Sequence, residues 1–82
     1  MKTELMRSAM IDYVREQYRS PENRYSADQW VSVMNCYVRH CNTEECAKLS
    51  DMRRSEAALL YTKLAIAVAE KALSQARSTV RA

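Results

Sequence analysis

Glycine is absent from this sequence of 82 residues, and Pro21 is its only proline. β-Hairpins need residues that adopt positive φ angles, and glycine does so most readily, so the chain is not expected to be a β-protein. The same absence excludes the glycine-rich loops that bind phosphate in many nucleotide-binding proteins. Hydrophobic residues make up 48% of the chain and charged residues 28%, which is typical of a globular protein. We therefore expect a single domain over residues 1–82 with a small core.

Long apolar runs are also lacking. The first seven residues, Met1 to Arg7, are not followed by an apolar run of the kind found in signal peptides. The most apolar stretch, residues 57–69, contains Lys63 and is shorter than the roughly 20 residues that a membrane-spanning helix needs. These features predict a soluble, cytoplasmic protein that does not contact membranes. Its three cysteines are then expected to be reduced thiols.

Two helices are predicted in the first half of the chain. The first begins at Thr3 as N-cap and ends at Ser20-Pro21, because proline disfavours helical backbone in the preceding residue. The second begins with a capping box formed by Ser26 and Gln29, and its Trp30 is expected to anchor the core. The apolar residues predicted to face the core are Leu5, Met6, Ala9, Met10, Tyr13, Val14 and Tyr18 in the first helix and Trp30, Val31, Met34, Tyr37, Val38 and Cys41 in the second.

The rest of the chain, up to about residue 78, contains no residue that forbids a helix. A helix start is predicted at Asn42 or Thr43. Ser50-Asp51 is a weak point, because both side chains compete for backbone hydrogen bonds, and we expect a break or turn there. The predicted fold is all-α: a small bundle of three helices, or of four if the chain breaks at Ser50-Asp51, with a long C-terminal helix.

The segment around this break resembles a helix-turn-helix. Ala47 matches the small residue at which the two helices of that motif cross, and Asp51 stands where glycine is commoner. Leu49 and Met52 match the apolar supports of the motif. Over residues 30–73 the chain is similar to the helix-turn-helix regions of sigma factors and phage antitermination proteins. The resemblance implies a nucleic-acid-binding surface that contains Lys48, Arg53, Arg54 and Ser55.

Large hydrophobic residues recur every seven positions near the C-terminus, and small residues occupy the other heptad position. The large residues are Met52, Leu59, Ile66, Leu73 and Val80, and the small ones are Ser55, Thr62, Ala69 and Ala76. Large residues packed against small ones allow two helices to approach closely. We therefore expect the protein to associate with itself through this helix. The alternative is a monomer whose first two helices cover the whole row.

Charges of alternating sign flank the heptad row, at Glu56, Lys63, Glu70 and Arg77. In an antiparallel pair of helices, such flanking positions face their own counterparts, so Glu56 meets Arg77 and Lys63 meets Glu70 of the second copy. In a parallel pair in register, the facing row consists of alanine and threonine and offers no charges. The pattern predicts an antiparallel homodimer with a two-fold axis near residues 66–67.

Cys36, His40, Cys41 and Cys46 are candidate ligands of a soft metal. The paired C-x-x-C spacing of structural zinc sites is absent, so we expect no metal, no other cofactor and three free thiols. Cys36 and Cys41 are then interpreted as small core residues and His40 as a surface residue. The chain has a single histidine and no pair of carboxylates within an apolar stretch, so no catalytic residues are predicted.

Arginine and tyrosine alternate around the loop that contains Pro21. Arg19, Arg24 and Tyr25 are the exposed candidates for contacting a partner. Together these features predict a small helical regulator of the phage or bacterial accessory kind, which binds another protein, including a second copy of itself, and no small-molecule substrate. The alternative is a helix-turn-helix regulator that binds DNA or a DNA-bound polymerase.

Overall fold

A computed structural model of the protein describes the backbone of residues 2–81 and the side chains of residues 4–77. It contains four α-helices and, within residues 2–81, no β-strand. The helices are α1 (Lys2–Arg19), α2 (Ala27–Val38), α3 (Thr43–Ser50) and α4 (Arg54–Arg81). The prediction of an all-α bundle with a long C-terminal helix is confirmed. The chain breaks between α3 and α4, so the bundle has four helices.

Side-chain caps fix the starts of two helices. The Ser26 hydroxyl accepts a hydrogen bond from the Gln29 N–H (3.1 Å), and the Gln29 side chain accepts one from the Ser26 N–H (3.0 Å). The Asn42 side chain accepts from the Glu45 N–H (2.8 Å), so Asn42 is the cap of α3. The predicted cap at Thr3 is wrong, because α1 already includes Lys2.

The end of α2 is a Schellman motif built without glycine. His40 adopts the left-handed conformation, with a φ of 57°. Its N–H donates to the Tyr37 carbonyl (3.2 Å), and the Cys41 N–H donates to the Cys36 carbonyl (2.9 Å). These bonds satisfy carbonyls that the helix leaves open, and they reverse the chain so that Cys41 comes back to the last turn of α2.

The end of α3 repeats this motif. Asp51 has φ 54° and ψ 51°, and the Met52 N–H donates to the Ala47 carbonyl (3.0 Å). The Asp51 carbonyl also accepts a hydrogen bond from the Gln29 side chain (3.3 Å). The reversal at Asp51 separates α3 from α4 and confirms the break predicted at Ser50-Asp51.

Trp30 is the aromatic centre of the core, as predicted. It is 3% exposed, and the rings of Tyr13 and Tyr25 meet it edge-on with centroids 6.2 and 5.8 Å away. Its indole N–H donates to the Asn23 side-chain oxygen (3.0 Å), so its one polar atom is satisfied. The buried cluster around it consists of Met10, Val33, Cys36, Cys46, Ala47, Ala57, Leu60 and Leu64.

Several residues predicted to face the core are exposed. Tyr18 is 52% exposed, because it lies in the last turn of α1, and Val31 and Val38 of α2 are 47% and 36% exposed. α2 instead turns Val33 and Cys36 inward. Apolar residues surround most of this helix, so their spacing does not fix which side faces the core.

The left-handed residues make a testable contribution to stability. Asp51→Gly is expected to raise the free energy of unfolding by about 0.5–1 kcal/mol, because glycine has no β-carbon to collide in this conformation. Asp51→Ala is expected to lower it by about 1 kcal/mol, because alanine keeps the β-carbon and loses the polar side chain that tolerates a positive φ. Urea unfolding followed by circular dichroism measures both.

The matched control for this prediction is Asp28→Gly. Asp28 lies in the first turn of α2, where glycine is expected to lower the free energy of unfolding by about 1 kcal/mol. A loss of stability in both glycine variants would contradict the strain assigned to Asp51.

Candidate functional site

The most prominent exposed apolar feature of the described side chains is a row along α4. Leu59, Ile66 and Leu73 are 50%, 52% and 58% exposed, whereas Leu60 and Leu64 of the same helix are 3% and 0% exposed. The inner side of α4 therefore forms the core, while an aliphatic row on another side faces water. A helix that is apolar on both sides is normally covered on both sides.

Small residues complete this surface, which we name the α4 face. The α4 face comprises Ser55, Leu59, Thr62, Ile66, Ala69, Leu73 and Ala76, all of them exposed. Their spacing alternates between four and three residues, which is the repeat of a helix that packs against a second helix as a coiled coil. The small members leave room between the large ones for side chains of a partner.

The two edges of the α4 face differ in charge. One edge carries Glu56, half-buried, and the exposed Lys63, Glu70 and Arg77. Within the part of the chain whose side chains are described, the ion pairs are Arg54–Glu44 and Lys71–Asp12, so the four edge charges have no partner there. The other edge is lined by alanines, at positions 58, 65 and 72.

Two residues predicted to belong to the row are not part of this surface. Met52 precedes α4 in the turn and packs, half-buried, against the core. The left-handed Asp51 ends the helical periodicity there, so Met52 does not continue the row. Val80 lies outside the residues whose side chains are described.

The resemblance to a helix-turn-helix has a mixed outcome in local geometry. Ala47 is buried, and Asp51 is left-handed at the position where the motif commonly has glycine. Leu49, expected to support the turn, is 52% exposed, because α3 turns Cys46, Ala47 and Ser50 inward instead. The resemblance itself stays a prediction.

The predicted nucleic-acid-binding side chains surround the turn between α3 and α4. The Arg54 guanidinium lies 3.5 Å from the Glu44 carboxylate, and Glu45 adds a second negative charge to the same turn of α3. These acidic groups lower the positive potential that a nucleic acid needs. The exposed residues of the predicted surface are Lys48, Arg53, Arg54 and Ser55.

Of the three predicted partner contacts, two are free at the surface. Arg19 and Arg24 are exposed, but Tyr25 is half-buried with its ring against Trp30. The exposed aromatic residue of this region is Tyr18, one residue before Arg19. Sequence spacing placed Tyr18 in the core because its position continues the apolar row of α1.

Three thiols meet at the junction of α2 and α3. The structure contains no disulfide among the three cysteines, of which Cys36 and Cys46 are buried and Cys41 is half-buried. Burial, together with the neighbouring Cys46 thiol, raises the pKa of Cys36 to about 11. No group of three or more His, Cys, Asp or Glu side chains among the described residues is arranged to hold a metal ion.

None of the helices within residues 2–81 combines the length and apolar character needed to cross a membrane. No protein-family model, curated protein or solved structure was found to match the chain. Among the exposed large hydrophobic side chains of the described residues, Leu59, Ile66 and Leu73 lie in one row on the α4 face.

Proposed function

We propose that the protein is a small cytoplasmic regulator that binds other proteins and functions as a homodimer through the α4 face. The observation that carries the proposal is the half-exposed row of Leu59, Ile66 and Leu73 on a helix whose other side forms the core. Burying a leucine or isoleucine side chain fully contributes about 1.5–3 kcal/mol relative to leaving it exposed. A two-fold dimer uses the same patch of both copies. Each side chain of the row that becomes buried therefore contributes twice to the free energy of association.

The order of residues in the α4 face fits an antiparallel partner. When a second copy runs in the opposite direction with the two-fold axis close to Ala67, every large residue meets a small one. The three unique layers are Leu59 against Ala76, Thr62 against Leu73, and Ile66 against Ala69. Alternating large and small residues let two helices interdigitate without voids, which favours a specific pair over nonspecific aggregation.

The charged edge supports the same orientation. In the antiparallel pair, Glu56 lies near Arg77 of the second copy and Lys63 near its Glu70, so each close contact joins opposite charges. Exposed ion pairs contribute about 0–1 kcal/mol each, so these pairs select the orientation while the apolar row drives association. The alanine edge, with small side chains at positions 58, 65 and 72, lets the helices approach closely.

A second surface remains available in this dimer for a different protein partner. Tyr18, Arg19 and Arg24 are exposed, lie at the end of α1 and in the loop that follows it, and are not part of the α4 face. Exposed tyrosine and arginine are the residue types that most often dominate binding energy at protein interfaces. Two copies of this surface per dimer suit binding of a macromolecule rather than conversion of a small substrate.

Ile66→Lys tests the dimer directly. Ile66 is 52% exposed, so the variant keeps its fold, but the dimer then contains two lysines beside its axis in place of two buried side chains. We expect the dissociation constant of the dimer to rise by roughly a hundredfold or more, from the loss of about 1.5–3 kcal/mol per copy. Sedimentation equilibrium at micromolar concentration measures the change.

Leu49→Lys is the matched control, because Leu49 is an aliphatic residue of equal exposure, 52%, that lies outside the α4 face. It is expected to leave the dimer intact. The proposal fails if the parent protein sediments as a 9.5 kDa monomer, or if both lysine variants weaken the dimer equally.

Charge reversal tests the antiparallel orientation. Replacing Lys63 and Arg77 with Glu sets four like-charge contacts along the dimer, and we expect the dimer to weaken by about 1–3 kcal/mol. Adding Glu56→Lys and Glu70→Lys restores opposite charges at every contact, so the fourfold variant is expected to recover. A fourfold variant that stays as weak as the double variant would place the interface elsewhere.

A helix-turn-helix function in DNA or polymerase binding is the second candidate, and the turn geometry favours it. Asp51 adopts the left-handed conformation, with φ 54°, at the glycine position of the motif, and Ala47 is buried where the motif needs a small residue. This candidate ranks second because the Arg54 guanidinium is already paired with Glu44.

The double variant Arg53→Ala, Arg54→Ala separates the two functions. If the protein binds DNA, losing two cations is expected to weaken binding and to lower the slope of log affinity against log salt by roughly two units. Arg7→Ala with Arg15→Ala, which removes two exposed arginines from α1, is the control and is expected to leave that slope nearer the parent value. Absence of DNA binding by the parent protein at low salt would exclude this candidate.

A further inference from the structure

The three thiols form a cluster with Cys36 at its centre. Cys36 and Cys46 belong to the same buried cluster, Cys41 packs against it, and the Cys46 and Cys41 thiols both influence the pKa of Cys36. The backbone bond from the Cys41 N–H to the Cys36 carbonyl, 2.9 Å long, holds these two residues together independently of their side chains. Cys46 reaches Cys36 from the first turns of α3, through the core.

Accessibility differs across the cluster. Cys36 and Cys46 are each 1% exposed, whereas Cys41 is only half-buried. A dissolved reagent therefore meets Cys41 first, and the two buried thiols are reached only through it or through opening of the fold. The α4 face does not include any of these residues, so the cluster is independent of the proposed dimer.

We propose that this cluster is a site of reversible disulfide formation, with a peroxide as oxidant and Cys36 as the sulfur common to every bridge. Cys36 is the neighbour of both other cysteines, through the backbone bond to Cys41 and through the core cluster that it shares with Cys46, so it is the sulfur that can bond to either one. The resulting disulfides are Cys36–Cys41, within the end of α2, and Cys36–Cys46, which ties α2 to α3.

The chemistry proceeds in two steps. The Cys41 thiolate attacks one oxygen of hydrogen peroxide, an S–O bond forms, the O–O bond breaks, and the departing hydroxide takes up a proton to become water. Cys36 then attacks the sulfenic sulfur of Cys41, the S–S bond forms, and the S–O bond breaks with release of a second water. The two thiols lose two electrons and two protons, and the peroxide gains both.

The third thiol allows the bridge to move. Cys46 attacks the Cys36 sulfur of the first disulfide, so Cys36–Cys46 forms and the Cys41 thiol is released. The oxidised protein therefore holds one disulfide and one free thiol in either arrangement. A thiol reductant reverses both bridges by the same exchange.

The surroundings make this reaction slow at neutral pH. Burial raises the pKa of Cys41, the charge of Glu45 adds to that effect, and Arg39 opposes it. The ring of Tyr61, which packs 5.3 Å from that of Tyr37, adds no charge beside the thiols at neutral pH, because burial raises the pKa of Tyr61. Because the thiolate is the attacking species, the rate of oxidation is expected to rise with pH.

Tryptic mapping of the whole protein tests the proposal. The reduced protein is treated with hydrogen peroxide at pH 8, its free thiols are alkylated, and it is digested without reduction. Cleavage after Arg24, Arg39 and Lys48 places Cys36 in the peptide of residues 25–39 and the other two cysteines in that of residues 40–48. A bridge through Cys36 joins these two peptides, whereas a Cys41–Cys46 bridge does not.

We expect the joined peptides, one alkylated cysteine per chain and full reversal by dithiothreitol. Cys41→Ser and Cys46→Ser are each expected to keep a bridge to Cys36, whereas Cys36→Ser and Cys36→Ala form none. Separate peptides in the oxidised parent protein, a Cys41–Cys46 bridge, or oxidation of Cys41 to the sulfinic acid without any bridge would each overturn the proposal. The parent map decides the outcome even if a Cys36 variant does not fold.

Discussion

Burial of the inner side of α4 is the interaction on which the rest of the structure depends. α1, α2 and α3 each pack against this helix, and Ala57, Leu60 and Leu64 are almost fully buried between them. A chain of this length has a small core, so one helix must supply apolar residues to every neighbour. The three shorter helices occupy only one side of α4, which leaves its outer side with Leu59, Ile66 and Leu73 in water. The proposed second copy covers the side that the chain cannot cover itself.

The absence of glycine imposes a second constraint, at the ends of α2 and α3. His40 and Asp51 adopt left-handed backbone although each carries a β-carbon. The resulting chain reversals determine how the following segments are placed. The first returns Cys41 to Cys36 and so creates the thiol cluster. The second separates α3 from α4, which sets the direction of α4 and thereby which of its sides meets the core.

Local signals in the sequence predicted the helices well, because caps and breaks depend on a few neighbouring residues. The Ser26 capping box and the break at Ser50-Asp51 are of this kind. The side of a helix that faces the core was harder to predict, as the exposed Val31 of α2 and Leu49 of α3 show. Both α2 and α3 carry apolar residues on more than one side. The heptad row of α4 was visible in the sequence, but its exposure was not, since the inner row is equally apolar. The proximity of the three cysteines depends on the left-handed turn at His40. No residue pattern in the sequence predicted this turn.

The two candidate functions make conflicting demands on α4. A recognition helix must leave the side chains of its exposed face free to enter a nucleic-acid groove, where polar and basic groups read bases and phosphates. An antiparallel dimer covers that same face, from Ser55 through Leu59 and beyond. The face presents aliphatic and small residues over about six turns, and its charges lie along one edge with alternating sign. Such a surface gains little from a groove lined with phosphates and much from a second apolar helix, so the chemistry of α4 favours a protein partner, and its two-fold complementarity supports the proposal that this partner is a second copy of the chain.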